Sequence, residues 1–98
     1  DTKVEVKSTC GGFSQMMHVS TGELMEMQAS DDYHLYRVYA MDGHTARLRV
    51  AARVRAWAAS VLAPLAGLPA GVKVDSVSVK PDSLQFGAEI AIDLTPPT

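Results

Sequence analysis

Short segments in which polar and apolar residues alternate recur along the chain, and they restrict it to folds that contain β-sheet. Lys3 to Lys7, Arg47 to Val50 and Ala88 to Leu94 all alternate in this way. Such alternation is typical of strands with one apolar face. In the first segment we expect Val4 and Val6 to form that face, opposite the charged side chains.

Other strands are predicted from composition and from turn residues. The aromatic and β-branched run from Tyr33 to Ala40 predicts a well-buried strand, and residues 72–79 predict another. Residues 13–19 follow the turn sequence Cys10-Gly11-Gly12 and read as extended. We therefore expect residues 13–19 to form a hairpin with the first strand.

Two helices are predicted between these strands. Ser20 and Glu23 have the spacing of a capping box, which predicts a helix from about Thr21 to Ala29. The alanine-rich stretch from Ala51 to Leu62 predicts a second helix that stops or kinks near Pro64. The predicted class is α+β, with a mixed, mainly antiparallel sheet of about five strands and two helices.

Composition narrows the class of protein. With 98 residues, 47% of them hydrophobic, and a net charge of -2, the chain fits one domain over 1–94 with a tail at 95–98, and it is not disordered. A single cysteine excludes a disulfide-stapled scaffold and a cysteine-rich zinc module. No apolar run approaches the roughly 20 residues of a membrane span, and the chain starts without a signal-peptide pattern. We expect a cytoplasmic protein that does not contact the membrane.

Positive charge is concentrated in one stretch, which holds four of the five arginines. These are Arg47, Arg49, Arg53 and Arg55. Arginines at such spacing suit bidentate contacts to phosphate, as in DNA binding. A solvated surface, or ion pairing with the acidic helix at Glu23 and Glu26, is the alternative interpretation.

The sequence Glu5-Val6-Lys7 is the most suggestive catalytic pattern. Side chains two apart on a strand point the same way, roughly 6.5–7 Å apart. The Glu5 carboxylate and the Val6 carbonyl suit a hard divalent cation such as Mg²⁺ or Mn²⁺. The Lys7 ammonium suits a metal-bound water or the charge that develops on a phosphate. The same alternation is also common on exposed strand edges.

The order of motifs adds to this pattern. Glu5-Val6-Lys7-Ser8-Thr9 is followed by the Ser20 to Glu23 helix start and then by Tyr33 to Tyr39. This order, over about Val4 to Tyr39, resembles the family named for the C-terminal part of protein NO VEIN. Through that family the chain is similar to the PD-(D/E)XK nucleases, which implies a truncated restriction-endonuclease-like fold.

The resemblance also implies roles for individual residues. Glu5 and Lys7 match the (D/E)-x-K positions, as metal ligand and catalytic lysine. Glu23 matches an auxiliary helix glutamate, and Arg37 matches the arginine of the "L-Y-R-V" strand. With Lys3 and the clustered arginines, Arg37 completes the predicted DNA contacts. The family context implies helicase-like or other nuclease-like domains in a parent protein of restriction or phage defence.

The nuclease pattern needs a second acid on a strand before the Glu-x-Lys strand, and only four residues precede Glu5. We expect an absent segment to supply that acid. Two alternatives to a nuclease stay open. One is a non-catalytic DNA-binding or sensing module, and the other is a protein-interaction domain that includes homo-oligomerisation.

Overall fold

The computed structural model describes residues 2–95 and has two helices and six strands. The predicted α+β class is confirmed. Residues 96–98 of the predicted tail lie outside the described part. The elements are β1 (Lys3–Ser8), β2 (Met17–Ser20), α1 (Thr21–Ala29), β3 (Tyr33–Tyr39), β4 (Thr45–Ala51), α2 (Arg55–Leu62), β5 (Ser76–Val79) and β6 (Ile90–Asp93).

The strands form two sheets. Four of them lie in the order β1-β3-β4-β6, and β2 pairs with β5 in a separate two-stranded sheet. β1 runs parallel to β3, whereas the remaining pairs are antiparallel. The predicted hairpin between β1 and residues 13–19 is therefore wrong. α1 follows β2 directly and carries the chain back, so that β3 pairs beside β1 as a parallel crossover unit.

The helix α1 begins where the capping box predicts. The Glu23 amide donates to the Ser20 hydroxyl oxygen at 3.0 Å, and the Ser20 amide donates to Glu23 Oε1 at 2.8 Å. These two bonds satisfy amides that the first turn of a helix leaves without partners. The Glu23 carboxylate is thereby held at the start of the helix.

The hydrophobic core lies on one face of the four-stranded sheet. Leu35 of β3 and Ala51 of β4 pack there with Leu24 of α1 and Ala58 of α2. We call this covered side the inner face. The side that carries Tyr36 is the outer face, and its β3 residues are only partly buried.

The valine side of β1, which was predicted as its apolar face, is not the side that packs on the core. Val4 and Val6 lie on the outer face and are 40% and 53% exposed, whereas Glu5 and Lys7 are half-buried on the inner face. Register explains this outcome, because Glu5 pairs with the fully buried Leu35 and must share its face. The charged side of β1 therefore faces the covered side of the sheet.

The second helix is shorter than predicted. Ala51 ends β4, and Arg53 then adopts a positive φ of 53° before α2 begins at Arg55. Pro64 lies in a 3-10 turn directly after α2, as the predicted stop requires. No helix within residues 2–95 is long and apolar enough to span a membrane.

The last two strands are also shorter than the sequence indicates. β5 occupies only residues 76–79 of the predicted 72–79, and β6 occupies only residues 90–93 of the predicted 88–94. Ile90 on the outer face of β6 is 51% exposed. Pro81 to Ser83, predicted as a turn, form a 3-10 turn.

Candidate functional site

Glu5, Lys7 and Glu23 meet on the inner face at the edge of the sheet. Lys7 Nζ lies 2.8 Å from Glu23 Oε1 and 3.4 Å from Glu5 Oε1. Glu5 and Lys7 come from β1, and Glu23 comes from the first turn of α1. We call these three residues the carboxylate–lysine cluster. The structure thus brings together the three residues that were predicted as metal ligand, catalytic lysine and auxiliary glutamate.

The two carboxyl groups of the cluster have pKa values displaced in opposite directions. Burial raises the pKa of Glu5, and the adjacent Glu23 carboxylate raises it further, against the opposing effect of Lys7. Burial also opposes ionisation of Glu23. Hydrogen bonds from Glu5, Lys7 and the Ser20 amide outweigh that effect and lower the pKa of Glu23 to about 2. Glu23 therefore holds the negative charge more firmly than Glu5.

A tyrosine lies in the field of the same carboxylates. Burial raises the pKa of Tyr33, and the negative charges of Glu5, Glu26 and Glu23 raise it further. Tyr33 is the first residue of β3 and packs in the core. The Tyr33 hydroxyl therefore adds no charge near these carboxylates at neutral pH.

A family model described as "Protein NO VEIN, C-terminal" matches residues 1–51. The chain belongs to this family. No curated protein and no solved structure matches it.

The segment shared with the NO VEIN C-terminal family ends at Ala51, the last residue of β4. It contains all three members of the carboxylate–lysine cluster and Arg37. The helix α2, and the strands β5 and β6, lie beyond the matched residues. The family match therefore includes the whole carboxylate–lysine cluster, but only part of the hydrophobic core.

Arg37 is the most deeply buried charged residue described, with 1% of its surface exposed. Its Nη2 donates to the Gln15 carbonyl oxygen at 2.7 Å, while its Nε has no hydrogen-bond partner among residues 2–95. Burial lowers the pKa of the guanidinium. Arg37 was predicted as a DNA contact, and in this arrangement the loop that contains Gln15 lies over it.

The clustered arginines separate into two pairs. Arg47 and Arg49 alternate along the inner face of β4, whereas Arg53 and Arg55 lie at the start of α2. Arg47 makes an ion pair with Glu89 at 3.8 Å, rather than with the acidic helix α1. The sequence cluster is thus not one continuous surface.

The Arg49 guanidinium packs against two aromatic rings, and the sequence did not predict this contact. Its guanidinium carbon lies 4.4 Å from the centre of the Phe13 ring and 5.8 Å from that of Phe86. Its Nε donates to the Gly87 carbonyl oxygen at 2.8 Å. The alternation around residue 13 predicts on which side of the chain Phe13 lies. No local sequence signal indicates that Phe86 lies beside it.

Arg53 and Arg55 line an open cavity of about 720 Å³ between the two helices. Asp31 and Asp32 line the same cavity, so its charges are balanced. The backbone amide of Arg53 donates to His34 Nδ1 at 3.1 Å. This cavity lies at the end of α1 opposite to the one that carries the carboxylate–lysine cluster.

The remaining predicted site residues are at the surface of β1. Lys3 is exposed, and the Val6 side chain points to the outer face, away from Glu5. Within residues 2–95, no group of three or more histidine, cysteine, aspartate or glutamate side chains is arranged to hold a metal ion.

Proposed function

We propose that the chain is a nuclease-like domain that acts on DNA within a larger prokaryotic restriction or phage-defence protein. The observation that carries the proposal is the carboxylate–lysine cluster, in which Glu5 and Lys7 share one face with Glu23. Its partners would be DNA and helicase-like or other domains of the parent protein. Membership of the NO VEIN C-terminal family supports the choice of these residues.

The relation to the PD-(D/E)XK nucleases is part of this proposal. It draws on the order β1–α1–β3, in which the Glu-x-Lys strand is an edge strand that pairs in parallel with the strand after the helix. The second acid was expected from an absent segment. Within the described residues, Glu23 of α1 would add a carboxylate, although its Oε1 also accepts the Ser20 amide.

The donor set of the cluster fits Mg²⁺ or Mn²⁺. Mg²⁺ is commonly held by one or two carboxylates together with water and substrate phosphates, so a third side-chain ligand is not required. Glu5 and Glu23 would hold the ion, with the Val6 carbonyl as a further oxygen. A bound ion would neutralise charge on a phosphate and lower the pKa of a water molecule.

In this mechanism each residue of the cluster has a separate task. Lys7 would leave its carboxylate partners for a phosphate oxygen, where an ammonium stabilises developing negative charge. Glu23, with a pKa of about 2, stays ionised near neutral pH and orients Lys7. A cation held at Glu5 would favour the ionised form of this carboxylate, against the burial that raises its pKa.

Cleavage of DNA by the full-length protein tests this function. We expect Mg²⁺- or Mn²⁺-dependent nicking or cutting that Glu5→Gln and Lys7→Ala each reduce by at least about 100-fold, the typical scale for such groups. Glu26→Gln is the matched control, because Glu26 is an exposed glutamate on the same helix as Glu23. Cleavage that persists in both site variants would exclude the proposal.

A non-catalytic DNA-binding or sensing module is the second candidate. It is favoured by the four clustered arginines, which suit phosphate contacts and need no metal. Binding would then be independent of metal and would weaken steeply with salt, because bound phosphates release counterions. Replacing Arg47, Arg49, Arg53 and Arg55 together by Ala without loss of affinity would count against it.

A protein-interaction role is the third candidate, and the outer face of the sheet favours it. Val4, Val6 and Ile90 are exposed there on two edge strands of the four-stranded sheet. Light scattering after size exclusion distinguishes this candidate. A stable homo-oligomer that Val6→Asp dissociates, together with no DNA binding, would support it.

A further inference from the structure

Arg37 carries a buried positive charge without an acidic partner. Within residues 2–95, no carboxylate oxygen is paired with its guanidinium, and the Gln15 carbonyl is its one hydrogen-bond acceptor. The Nε–H group is enclosed and bonds to nothing. Buried arginines are almost always paired, because removing an ion from water is costly. This residue therefore has unused capacity for a negatively charged group.

Arg37 is also the centre of a row of three cations. Lys7 of β1 and Arg49 of β4 are its direct register partners, so the three side chains leave the same face of adjacent strands. Strands in a sheet lie about 4.8 Å apart. Both carboxylates of the carboxylate–lysine cluster contact Lys7, at one end of the row. Within the described part of the chain, no carboxylate forms an ion pair with Arg37 in the middle or with Arg49 at the far end.

Backbone and aromatic groups cover this row. Besides the Gln15 carbonyl on Arg37, the Phe13 ring lies over Arg49, and the carbonyls of Phe86 and Gly87 accept from Arg49. Gln15 and Phe13 belong to the loop of residues 9–16 that joins β1 to β2. The Gly11 carbonyl accepts from the Ala40 amide and fastens this loop to the end of β3. All of these acceptors are neutral.

We propose that Arg37 is the centre of an oxyanion site for phosphate-type ligands, covered by the loop of residues 9–16. A guanidinium binds two phosphate oxygens in parallel through its planar array of N–H groups. The oxygens would replace the Gln15 carbonyl and engage the Nε–H that now bonds to nothing. Lys7 and Arg49 supply flanking positive charge from the two neighbouring strands.

This inference deepens the proposed function, since a phosphodiester seated on Arg37 would lie beside Lys7. It does not depend on a metal or on cleavage. A site with Arg37 at its centre would hold the DNA backbone while Glu5 and Lys7 act on it. The loop must move for a DNA strand to enter, so binding would require an open form of residues 9–16. The observed affinity would then be the intrinsic affinity multiplied by the fraction of molecules in the open form.

Titration of the wild-type protein with inorganic phosphate tests the site directly, without added metal. Each arginine Nε–H gives a separate resonance in a ¹H–¹⁵N spectrum, and the Arg37 signal can be assigned through its own side chain. We expect this resonance to move downfield with saturation, whereas chloride at equal ionic strength leaves it in place. An Arg37 resonance that does not respond to phosphate would overturn the proposal.

The variant Arg37→Met adds a second readout. Removing an unpaired buried charge with retention of volume should keep or raise the melting temperature without phosphate. Phosphate affinity should fall about tenfold or more, as expected for loss of a charged hydrogen-bond donor. Lys73→Met is the control, because Lys73 is an exposed cation outside every predicted site, and it should leave the affinity unchanged. If Arg37→Met does not fold, the wild-type titration decides alone.

A short single-stranded oligonucleotide distinguishes the source of the phosphate. If the oligonucleotide moves the Arg37 resonance as inorganic phosphate does, the ligand is a nucleic-acid backbone. If inorganic phosphate alone moves it, the site takes a free phosphate group, and the oxyanion site stands without the DNA assignment. Glu5→Gln should abolish cleavage but leave the phosphate response intact, so failure of either proposal is recognised separately.

Discussion

The two faces of the four-stranded sheet differ in their cover and in their charge. The inner face packs against both helices, yet it carries Glu5, Lys7 and Arg37. The outer face carries Val4 and Val6, and both are exposed. At β1, therefore, the charged residues lie on the covered side and the valines on the open side. Charges placed inward at the edge of a core need partners, and here the partners form the candidate site.

The largest expected effect contrasts two leucines on opposite faces. Leu35→Ala on the inner face should lower the free energy of unfolding by about 2–5 kcal/mol, because it leaves a cavity in a close-packed core. Leu48→Ala on the outer face removes the same atoms from a partly buried position. It should cost roughly half as much or less. Chemical denaturation measures both, and equal losses would show that the outer face is also enclosed.

Removal of the inward-facing cation should have the next largest effect. Lys7→Met leaves Glu5 and Glu23 adjacent without the ammonium that joins them, and should cost about 1–3 kcal/mol at neutral pH. Lys3→Met is the matched control, because Lys3 is an exposed lysine on the same face of the same strand. We expect the control to stay within about 0.5 kcal/mol of the wild type. Comparable losses in the two variants would argue against a cluster that stabilises the inner face.

The pH dependence of stability should be a smaller effect, and the two carboxyl groups contribute to it with opposite signs in different pH ranges. The lowered pKa of Glu23 stabilises the folded state above its ordinary value of 4.5, and this contribution is lost as the pH falls toward about 2. The raised pKa of Glu5 has the opposite sign, since its contribution is present below 4.5 and is lost as the pH rises. We expect a net decrease of no more than about 2 kcal/mol between pH 4.5 and 2.

Two variants separate these contributions in urea denaturation at several pH values. Glu23→Gln should flatten the decrease below pH 4.5. Glu5→Gln should raise the free energy of unfolding near pH 7, because it removes the disfavoured ionised form. A Glu23→Gln curve parallel to that of the wild type would contradict the assigned pKa.

The smallest effect is expected on the outer face of β1. Val6→Thr keeps a β-branched side chain at an exposed position and should change the free energy of unfolding by no more than about 0.5 kcal/mol. Thermal and urea unfolding both measure it. A larger loss in the isolated chain would mean that the outer face is covered in solution.

Much of the secondary structure could be predicted from local pattern. The capping box fixed the start of α1, and alternation identified β1, β4 and β6, because both signals depend only on neighbours in sequence. Alternation separates a strand into two sides without saying which side is covered. The valines of β1 were therefore assigned to the wrong face, since burial depends on the strand beside it.

The candidate site was predicted in part for the same reason. Glu5, Lys7 and Glu23 were identified through motif order, and the capping box explains how Glu23 is positioned. The contact of Phe13 and Phe86 with Arg49 joins residues more than 35 positions apart, and no local signal predicts it. Arg37 is buried by the loop of residues 9–16, where the sequence had instead predicted a hairpin between β1 and residues 13–19.

The small β2–β5 sheet has a consequence for when the site forms during synthesis. Ser20 pairs with Ser76, and the Thr21 amide donates to the Asp75 carbonyl at 2.9 Å. The start of α1, and hence Glu23, is therefore anchored by chain that is made more than 50 residues later. A nascent chain that stops before β5 contains every residue of the carboxylate–lysine cluster without the strand that fixes its helix. The carboxylate–lysine cluster would then be completed only after β5 has left the ribosome, because such domains fold as units.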